Sequence, residues 1–452
     1  MELQKENKMG TMPLLKLIIT MSLPMILSML VQACYNIVDS IFIARYSDAA
    51  LAAVSYAFPA QNLMIGVATG TGVGINALLS RSLGEKNFEK ANRTAGNGIV
   101  LALLSSLAFL IFGLTMSETL ISFQTKTPEI IKYGTKYLTI CCGLSFGIFG
   151  EITFERLMQS TGRTLLTMFT QGLGAIINII LDPILIFGLL GVPELGIAGA
   201  ALATVIGQIV AFALAVFLNH KYNHEIRLTK DTLRLRAPIV GEIYKVGVPS
   251  ILMVCIGSVM TTGMNKILNS FSDLAASVFG VYFKLQSFVF MPVFGLNNGV
   301  IPIIAYNYGA QKRRRMTGAI KIAAVAASLF MGIGLIIMQV FPREVLMLFD
   351  ADEAMLSIAV PALRSISLSF IFAGVCIALG SVFQALGFGV YSMIVSFARQ
   401  IAVLLPVAYL FSLTGKLNLV WLSFPIAEIM SVLVTVLLFI RIYKRIISKI
   451  PE

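Results

Sequence analysis

Apolar stretches of about 20 or more residues recur along almost the whole chain, separated by short polar connections. A stretch of that length can cross the hydrocarbon core of a bilayer as one helix, which satisfies its own backbone groups. The alternating pattern of a membrane barrel is not seen. The chain is therefore predicted to have twelve membrane helices, at residues 14–44, 51–80, 94–116, 129–157, 164–190, 196–219, 240–270, 275–306, 318–341, 354–386, 391–413 and 418–443.

The two halves of this pattern repeat each other, since residues 14–220 and 240–445 match about 225 positions apart. Repeated helical bundles that face each other across a cavity are a common way to build a transporter, because one half can rock against the other. Transport is therefore the leading hypothesis. The matched pairs are Pro24 with Pro249, Asp48 with Asp273, Gln61 with Gln286, Gly70 with Gly295, Gly74 with Gly299, Gly84 with Gly309, Gln159 with Gln384 and Gly162 with Gly387.

The pattern predicts an all-α integral membrane protein with twelve transmembrane helices in two pseudo-symmetric six-helix bundles. Residues 1–220 form the predicted N-lobe, residues 221–239 a cytoplasmic linker, and residues 240–452 the C-lobe. His220 and His224 lie four residues apart, a spacing that can bind a metal on a helix. Because no cysteine or carboxylate cluster accompanies them, a solvated linker is the better interpretation.

Composition and charge placement support a membrane setting. Hydrophobic residues make up 57% of the 452 positions and charged residues 12%, against about 25% charged residues in soluble domains. The net charge of +12 does not indicate a nucleic-acid partner, because the basic residues are concentrated in alternate connections. That bias predicts an inner cell membrane protein with both termini in the cytoplasm and the lipid bilayer as its partner.

The sequence carries no signature of a nucleotide-driven pump or of an enzyme. Gly70–Gly74 reads GTGVG, but no strand precedes it and no Gly-Lys-Ser/Thr follows, so it is not a phosphate loop. No set of nucleophile and base, metal cluster or cofactor motif is evident. We therefore expect no catalytic residue and no cofactor, and an ion gradient or the substrate's own gradient must supply the energy.

Ionisable side chains inside apolar spans are costly, so they are candidates for function. Asp39 lies near the end of the first span, Asp182 near the end of the fifth, and Thr204 near the start of the sixth. At a rise of 1.5 Å per residue these three share one depth, and Asn178 projects from the same helix face as Asp182. Pro183 frees carbonyl groups beside Asp182. Such oxygen groups can bind Na⁺, or a desolvated carboxylate pair can take up a proton.

Longer stretches around these residues are NIILDPILIFG at Asp182, YNIVDSIFIA at Asp39 and GAALATVIGQ at Thr204. Together with a turn at Ser22–Pro24 and the segments SRSLGEKN and QSTGR, they resemble the multidrug and toxic compound extrusion (MATE) family. The resemblance covers essentially the whole chain and implies a V-shaped pair of six-helix lobes. It also implies export of organic cations and other amphipathic compounds in exchange for Na⁺ or H⁺.

The resemblance extends to single residues of the N-lobe. Tyr137 matches a tyrosine near the family's N-lobe cavity. Some members also carry acids on spans seven and ten, but here Met264 stands at the repeat position of Asp39 and span ten has no acid. This departure favours coupling through the N-lobe alone. The family's ion-coupling site, a possible Na⁺ site, maps to Asp39, Asn178, Asp182 and Thr204.

The C-lobe contains basic residues within its apolar spans. Lys284 and Arg399 lie about ten residues from the nearest predicted span ends, too deep to reach water easily. We expect them to pair with carbonyl groups or to line the cavity, with Glu428 as a possible partner. The substrate-cavity candidates are therefore Tyr137, Lys284, Arg399 and Glu428. Glu151 and Glu155 lie on the fourth span near its predicted cytoplasmic end. A structural role is favoured for both, with Arg156 as a partner for one of them.

Two transporter hypotheses remain open. The first is a monomeric secondary active antiporter for small amphipathic substrates, coupled to H⁺ or Na⁺. The second is a flippase for a lipid-linked oligosaccharide or a related lipid precursor, whose pyrophosphate would suit Lys284 and Arg399. Against it, such flippases usually have fourteen spans, and the N-lobe acids would lack a purpose. A non-transporting scaffold or sensor leaves both the duplication and the acids unexplained.

Overall fold

The computed structural model describes residues 6–349 and 351–451, and the regular structure within these ranges is helical. A short 3-10 helix at Leu189–Gly191 follows the seventh helix. The α-helices of the N-lobe are α1 (Lys8–Thr11), α2 (Leu14–Tyr46), α3 (Asp48–Gly84), α4 (Phe88–Gln124), α5 (Pro128–Gly143), α6 (Phe146–Ser160), α7 (Thr164–Phe187) and α8 (Ile197–Tyr222).

The C-lobe follows after a connection, residues 223–236, that lies within the predicted linker. Its α-helices are α9 (Ala237–Asn269), α10 (Asp273–Gly309), α11 (Arg313–Val340), α12 (Pro342–Met347), α13 (Glu353–Ser367), α14 (Phe370–Ala385), α15 (Gly389–Phe397), α16 (Leu405–Ser412), α17 (Leu417–Trp421) and α18 (Ser423–Arg445). A π-helical segment at Ala398–Leu404 joins α15 to α16, and a 3-10 helix at Ile447–Lys449 follows α18.

Ten helices of the described chain are long and apolar enough to cross a membrane, or twelve spans result if each of two bent pairs counts as one. This confirms the all-α membrane fold predicted from the sequence. The predicted spans 129–157 and 354–386 are each built from two helices. Helices α5 and α6 meet at 44°, and α13 and α14 meet at 47°.

Both bends fall at a Leu-Ser-Phe sequence. In the N-lobe the Ser145 hydroxyl donates to the Ser106 carbonyl oxygen at 3.3 Å, and in the C-lobe the Ser369 hydroxyl donates to the Ile366 carbonyl oxygen at 2.7 Å. Serine side chains that bind backbone carbonyls compete with the regular helical pattern. The same three-residue sequence therefore marks the bend of the corresponding span in both repeats.

The Ser22–Pro24 segment is not a turn, which corrects the sequence interpretation. Helix α2 runs continuously through Pro24, and the Ser28 hydroxyl donates to the Pro24 carbonyl oxygen at 2.9 Å. A proline inside a membrane helix is tolerated when side chains and neighbouring helices satisfy the disturbed backbone. Pro249, its repeat counterpart, lies inside α9 in the same way.

The helices confirm the internal repeat, because four N-lobe helices begin 225 positions before their C-lobe counterparts. The matched starting residues are Asp48 and Asp273, Phe88 and Arg313, Pro128 and Glu353, and Thr164 and Gly389.

The two lobes meet through glycines that repeat between the halves. A Cβ atom on Gly70 would lie 2.6 Å from the Ile251 side chain, and one on Gly295 would lie 2.6 Å from the Ile26 backbone. Ile251 and Ile26 are themselves 225 positions apart. The bare backbone lets α3 approach α9 and α10 approach α2 in the same way.

Buried apolar side chains form two clusters. The larger runs through the C-lobe and across the interface, where Ile75 of α3 and Ile243 of α9 are fully buried. The smaller lies within the N-lobe and includes Ala57 of α3, Tyr137 of α5 and Ile186 of α7. The two polar sites described below lie beside these clusters.

A short N-terminal segment, residues 7–12, bridges the lobes and is called the N-terminal strap below. Asn7 Nδ2 donates to the Thr161 carbonyl oxygen at 3.0 Å and to the Glu225 carboxylate at 2.8 Å, both in or next to the N-lobe. The Met9 carbonyl oxygen accepts from Asn307 Nδ2 of the C-lobe at 3.0 Å. The Met9 side chain is fully buried. The strap therefore ties both lobes at the end that carries the N-terminus.

Candidate functional site

Two aspartates from different helices meet inside the N-lobe. Asp39 of α2 and Asp182 of α7 lie side by side, close enough for their carboxyl groups to interact. Asp182 is fully buried, and neither of its oxygens accepts a hydrogen bond from the described residues. Ionised carboxylates are acceptors only, so two of them in contact cannot satisfy each other. This arrangement needs a proton or another small cation to balance it.

The other two predicted residues of this site lie next to the pair. Asn178, one turn before Asp182 on α7, donates from Nδ2 to Thr204 Oγ1 of α8 at 3.2 Å. Asn178 is 3% exposed, and its Oδ1 has no hydrogen-bond donor among the described residues. The structure therefore brings together all four residues of the predicted ion-coupling set. Asp39, Asn178, Asp182 and Thr204 are called the N-lobe polar site below.

Two glycines explain why α7 and α8 hold their polar groups so close. A Cβ atom on Gly174 would lie 3.2 Å from the Gly207 carbonyl oxygen, and one on Gly207 would lie 2.7 Å from the Gly174 carbonyl oxygen. Side chains at these positions would push the helices apart. The close backbone approach positions Asn178 against Thr204.

A cavity of about 120 Å³ adjoins the N-lobe polar site. Asn178 and Thr204 line it, together with Gln32 and Tyr35 of α2 and with Glu151 of α6. Two of the four residues of the N-lobe polar site, Asn178 and Thr204, thus border the cavity, whereas Asp39 and Asp182 are not among its lining residues.

Glu155, one turn after Glu151 on α6, also lines this cavity. Glu155 accepts hydrogen bonds from Thr170 Oγ1 at 2.7 Å and Gln171 Nε2 at 2.8 Å. Arg156 donates to Gln159 and, across the lobe boundary, to Asn298 of α10, rather than to either acid. Both acids, for which the sequence favoured a structural role, thus line the same cavity as Asn178 and Thr204.

Tyr137 lies beside this region in the buried cluster of the N-lobe. It is 2% exposed, and its hydroxyl accepts a hydrogen bond from Gln61 Nε2 of α3 at 3.2 Å. Tyr137 is not among the residues that border the adjoining cavity. Its contacts are those of a packing residue next to the site.

A second and larger cavity, of about 680 Å³, lies between the lobes and extends into the C-lobe. We call it the central cavity. Asn62 of α3 closes one side, where its Nδ2 donates to Ser258 Oγ of α9 at 3.2 Å. Six aromatic rings line the cavity, and they belong to Phe58, Tyr282, Phe283, Phe290, Phe294 and Phe424.

Arg399 and Glu428 form an ion pair in the wall of the central cavity, as the sequence predicted for these two residues. Arg399 Nη1 lies 3.4 Å from Glu428 Oε2, and the side chains are 28% and 7% exposed. Glu428 Oε1 has no hydrogen-bond partner among the described residues. Arg399 lies in the π-helical segment that joins α15 to α16, and such segments are often found at functional sites.

Lys284 does not join this pair. Its side chain is exposed on α10, and it is not among the residues that line the central cavity. Of the four substrate-cavity candidates predicted from the sequence, the structure places Arg399 and Glu428 at the cavity. Lys284 and Tyr137 lie outside the linings of both cavities.

The structure has two repeated helical bundles, with a buried acid pair in one and an aromatic cavity between them. These features define a membrane protein of the repeat-built transporter class. The MatE family model matches residues 24–184 and 249–410, and the chain belongs to this family. The resemblance seen in the sequence is therefore confirmed.

Relatives of this chain share most of its length. It is 27% identical over 409 residues to the multidrug export protein MepA of Staphylococcus haemolyticus (strain JCSC1435), covering 90% of this chain and 89% of the relative. It is 26% identical over 428 residues to MepA of Staphylococcus aureus (strain N315), covering 94% and 93%.

The fold also matches solved structures. An outward-facing conformation of a multidrug resistance MATE family transporter of the MOP superfamily superposes with a TM-score of 0.93 at 23% sequence identity. The match covers 99% of this chain and 100% of the other. At this identity the likeness establishes a shared fold.

Proposed function

We propose that the protein is a secondary active antiporter that exports amphipathic, cation-bearing drugs or toxic compounds in exchange for H⁺ or Na⁺. The observation that carries the proposal is the contact between the Asp39 and Asp182 carboxyl groups, whose buried oxygens have no donor among the described residues. The names of the relatives, which are multidrug export proteins, support drugs as the exported class.

Cation binding at the N-lobe polar site would couple to movement of the lobes. Asp39 lies on α2, which also packs against α10 of the C-lobe through Gly295. Neutralising the carboxylate pair removes a repulsion between α2 and α7, so the two facing states would bind the cation with different free energies. Such a difference is the thermodynamic requirement for coupling ion entry to drug release.

The central cavity is the proposed drug site. Its volume of about 680 Å³ lies within the range of pockets that hold drug-sized ligands, and its aromatic lining suits flat, apolar compounds. The protein would act as a monomer in the inner cell membrane, with both termini in the cytoplasm. It would need no cofactor besides the coupling ion and would catalyse no reaction.

Replacing Asp182 with asparagine tests this proposal. Asp182→Asn keeps the side-chain shape but removes the negative charge, so a cation no longer has a carboxylate pair to neutralise. In vesicles containing the purified protein, we expect ethidium transport driven by an imposed pH or Na⁺ gradient to fall to about one tenth of the wild-type rate or less. Applying the two gradients separately identifies the coupling ion.

Asp273→Asn is the matched control, because Asp273 is an exposed acid in the first turn of α10. This variant is expected to transport at the wild-type rate. Full gradient-driven transport by Asp182→Asn would refute the coupling role of the acid pair.

The flippase alternative receives less support. It relied on Lys284 and Arg399 as a joint binding site for pyrophosphate, but Arg399 is paired with Glu428, and Lys284 is not among the residues that line the central cavity. Offering vesicles a lipid-linked oligosaccharide in place of ethidium tests this alternative directly. Movement of the lipid and not of ethidium would replace the antiporter proposal.

A further inference from the structure

The central cavity contains two charged side chains, and they neutralise each other. Among the described residues that line it, Arg399 and Glu428 are the ionisable groups that carry charge at neutral pH. The other polar groups are neutral amides and hydroxyls, such as Gln286 and Gln400. An empty cavity of this kind holds a buried carboxylate whose counter-ion comes from the protein itself.

We propose that Arg399 is a tethered counter-ion for Glu428, which the cationic group of an aromatic substrate displaces on binding. The inference rests on the proposed function, because it assigns the part of the substrate that the central cavity recognises. Glu428 is then the residue that binds the substrate's cationic group, and Arg399 is the internal competitor that sets its affinity.

The geometry of the pair favours displacement. The guanidinium approaches a single carboxylate oxygen at 3.4 Å, which is longer than the 2.7–2.9 Å of a strong charge-assisted hydrogen bond. Glu428 Oε1 is buried and without a partner among the described residues, so one oxygen remains available to a second cation. Arginine has a long flexible stem, and here its side chain is the more exposed of the two.

The surrounding rings favour an aromatic cation as the displacing group. Glu428 and Phe424 lie one turn apart on α18, and Tyr282 and Phe283 of α10 also line the cavity. Aromatic faces attract a cation and stack on a flat ligand, so a delocalised cation would gain contacts that the Arg399 head does not make.

The N-lobe carries no equivalent pair. The position 225 residues before Arg399 is Gly174, which lets α7 approach α8 closely, and the position 225 residues before Glu428 is Ala203. Of the equivalent N-lobe helices, α7 thus holds the uncompensated Asp182, whereas the C-lobe helices hold a compensated charge pair. This difference separates the proposed drug site from the proposed ion site.

The proposal is tested by ethidium binding to the purified protein, followed by fluorescence in the absence of any gradient. Arg399→Gln removes the competing cation and leaves Glu428 available, so ethidium should bind about fivefold more tightly than to the wild type. Arg364→Gln is the control for the loss of a positive charge from the C-lobe, since Arg364 is exposed on α13. This control is expected to bind like the wild type.

Glu428→Gln supplies a second measurement in case Arg399→Gln does not fold. It should weaken ethidium binding about tenfold and leave the binding of an uncharged aromatic dye unchanged. Unchanged or weaker ethidium binding by folded Arg399→Gln, or wild-type ethidium binding by Glu428→Gln, would overturn the proposal. Because no gradient is applied, these results are independent of the vesicle experiment that tests antiport.

Discussion

Single side chains of the N-lobe polar site present buried oxygens that receive no hydrogen bond from the described residues. Asp182 is fully buried without a hydrogen-bond donor among the described residues, and Asn178 directs its amide hydrogens to Thr204, which leaves Oδ1 free of a donor. A buried, unpaired charge is destabilising, so folding alone does not explain these residues. Their placement supports the proposed role as ligands of a coupling cation.

This interaction predicts coupled effects of the two aspartates on stability. Asp39→Asn or Asp182→Asn alone should raise the melting temperature at neutral pH and low Na⁺, because an amide can donate to the remaining carboxylate. The double variant should gain less than the sum of the two, since the repulsion can be removed only once. Thermal unfolding of the three purified variants measures this coupling.

The control is a double variant that combines Asp182→Asn with Asp273→Asn, since Asp273 is an exposed residue of the other lobe. Their effects should add within about 0.5 kcal/mol, as expected for distant sites. Additive effects of Asp39→Asn and Asp182→Asn would show that the carboxyl groups do not interact.

The sequence was sufficient to predict the N-lobe polar site but not its surroundings. Depth counting brought Asp39, Asp182 and Thr204 to one level because α2, α7 and α8 are each continuous helices. It did not reveal the cavity that Glu151 and Glu155 line, nor the 44° bend between α5 and α6. A bend at a Leu-Ser-Phe sequence leaves the apolar pattern unchanged, so hydropathy does not reveal it.

At the scale of helices, the repeated glycines determine how closely the lobes can meet. A Cβ atom on Gly309 of α10 would collide with the Arg81 carbonyl oxygen of α3, and one on Gly84 would collide with the Tyr306 carbonyl oxygen. Arg81 and Tyr306 are also 225 positions apart. A carbonyl oxygen in a helix cannot move aside as a flexible side chain can, so these contacts fix the approach of α3 and α10.

Gly309→Ala should therefore loosen the contact between the lobes at this end. Inserting a methyl group against rigid backbone costs about 1–3 kcal/mol, so the melting temperature should fall by several degrees. Hydrogen–deuterium exchange should increase in residues 84–88, which face the altered contact. Gly84→Ala should produce the same effects from the other lobe.

Gly280→Ala is the matched control, because Gly280 lies on the same helix with nothing within 4 Å of an added Cβ atom. It should be neutral or slightly stabilising, as expected for alanine in a helix. Equal losses in Gly280→Ala and Gly309→Ala would show that the close approach of the lobes is not the cause.

The helices themselves were largely predictable, and their local irregularities were not. Repeat spacing and apolar length gave the number of spans and the pairing of helix starts at Asp48 and Asp273. The π-helical segment Ala398–Leu404 has the same apolar character as a regular helix, so its sequence carries no visible signal. The predicted pairing of Arg399 with Glu428 nevertheless formed, because buried charges in lipid need a partner.

Across the whole molecule, the N-terminal strap adds a polar connection between the lobes outside the membrane spans. Glu225 sits partly buried under Asn7, and burial raises the pKa of its carboxyl group above the usual 4.5. Glu6 instead pairs with Lys312 of the C-lobe, and this hydrogen bond lowers the pKa of Glu6. The two acids at the strap therefore respond to pH in opposite directions.

The opposite pKa shifts of Glu225 and Glu6 predict opposite changes in stability when each acid is replaced by a neutral residue. A raised pKa means that Glu225 stabilises the folded protein when protonated, and that this contribution is lost as the pH rises through the raised value. Glu225→Gln is always neutral and keeps an oxygen for Asn7, so its melting temperature should exceed that of the wild type by about 1–2 °C at neutral pH. The difference should vanish below about pH 4.5, where the wild-type residue is protonated.

Glu6→Gln should have the reverse sign. The lowered pKa means that Glu6 contributes stability above its usual value and loses it as the pH falls, so the variant should be slightly less stable than the wild type at neutral pH and equal to it in acid. Melting curves of both variants across this pH range provide the comparison. Changes in melting temperature of the same sign in the two variants would contradict opposed roles for Glu225 and Glu6. They would also contradict the N-terminal strap as a charged connection between the lobes.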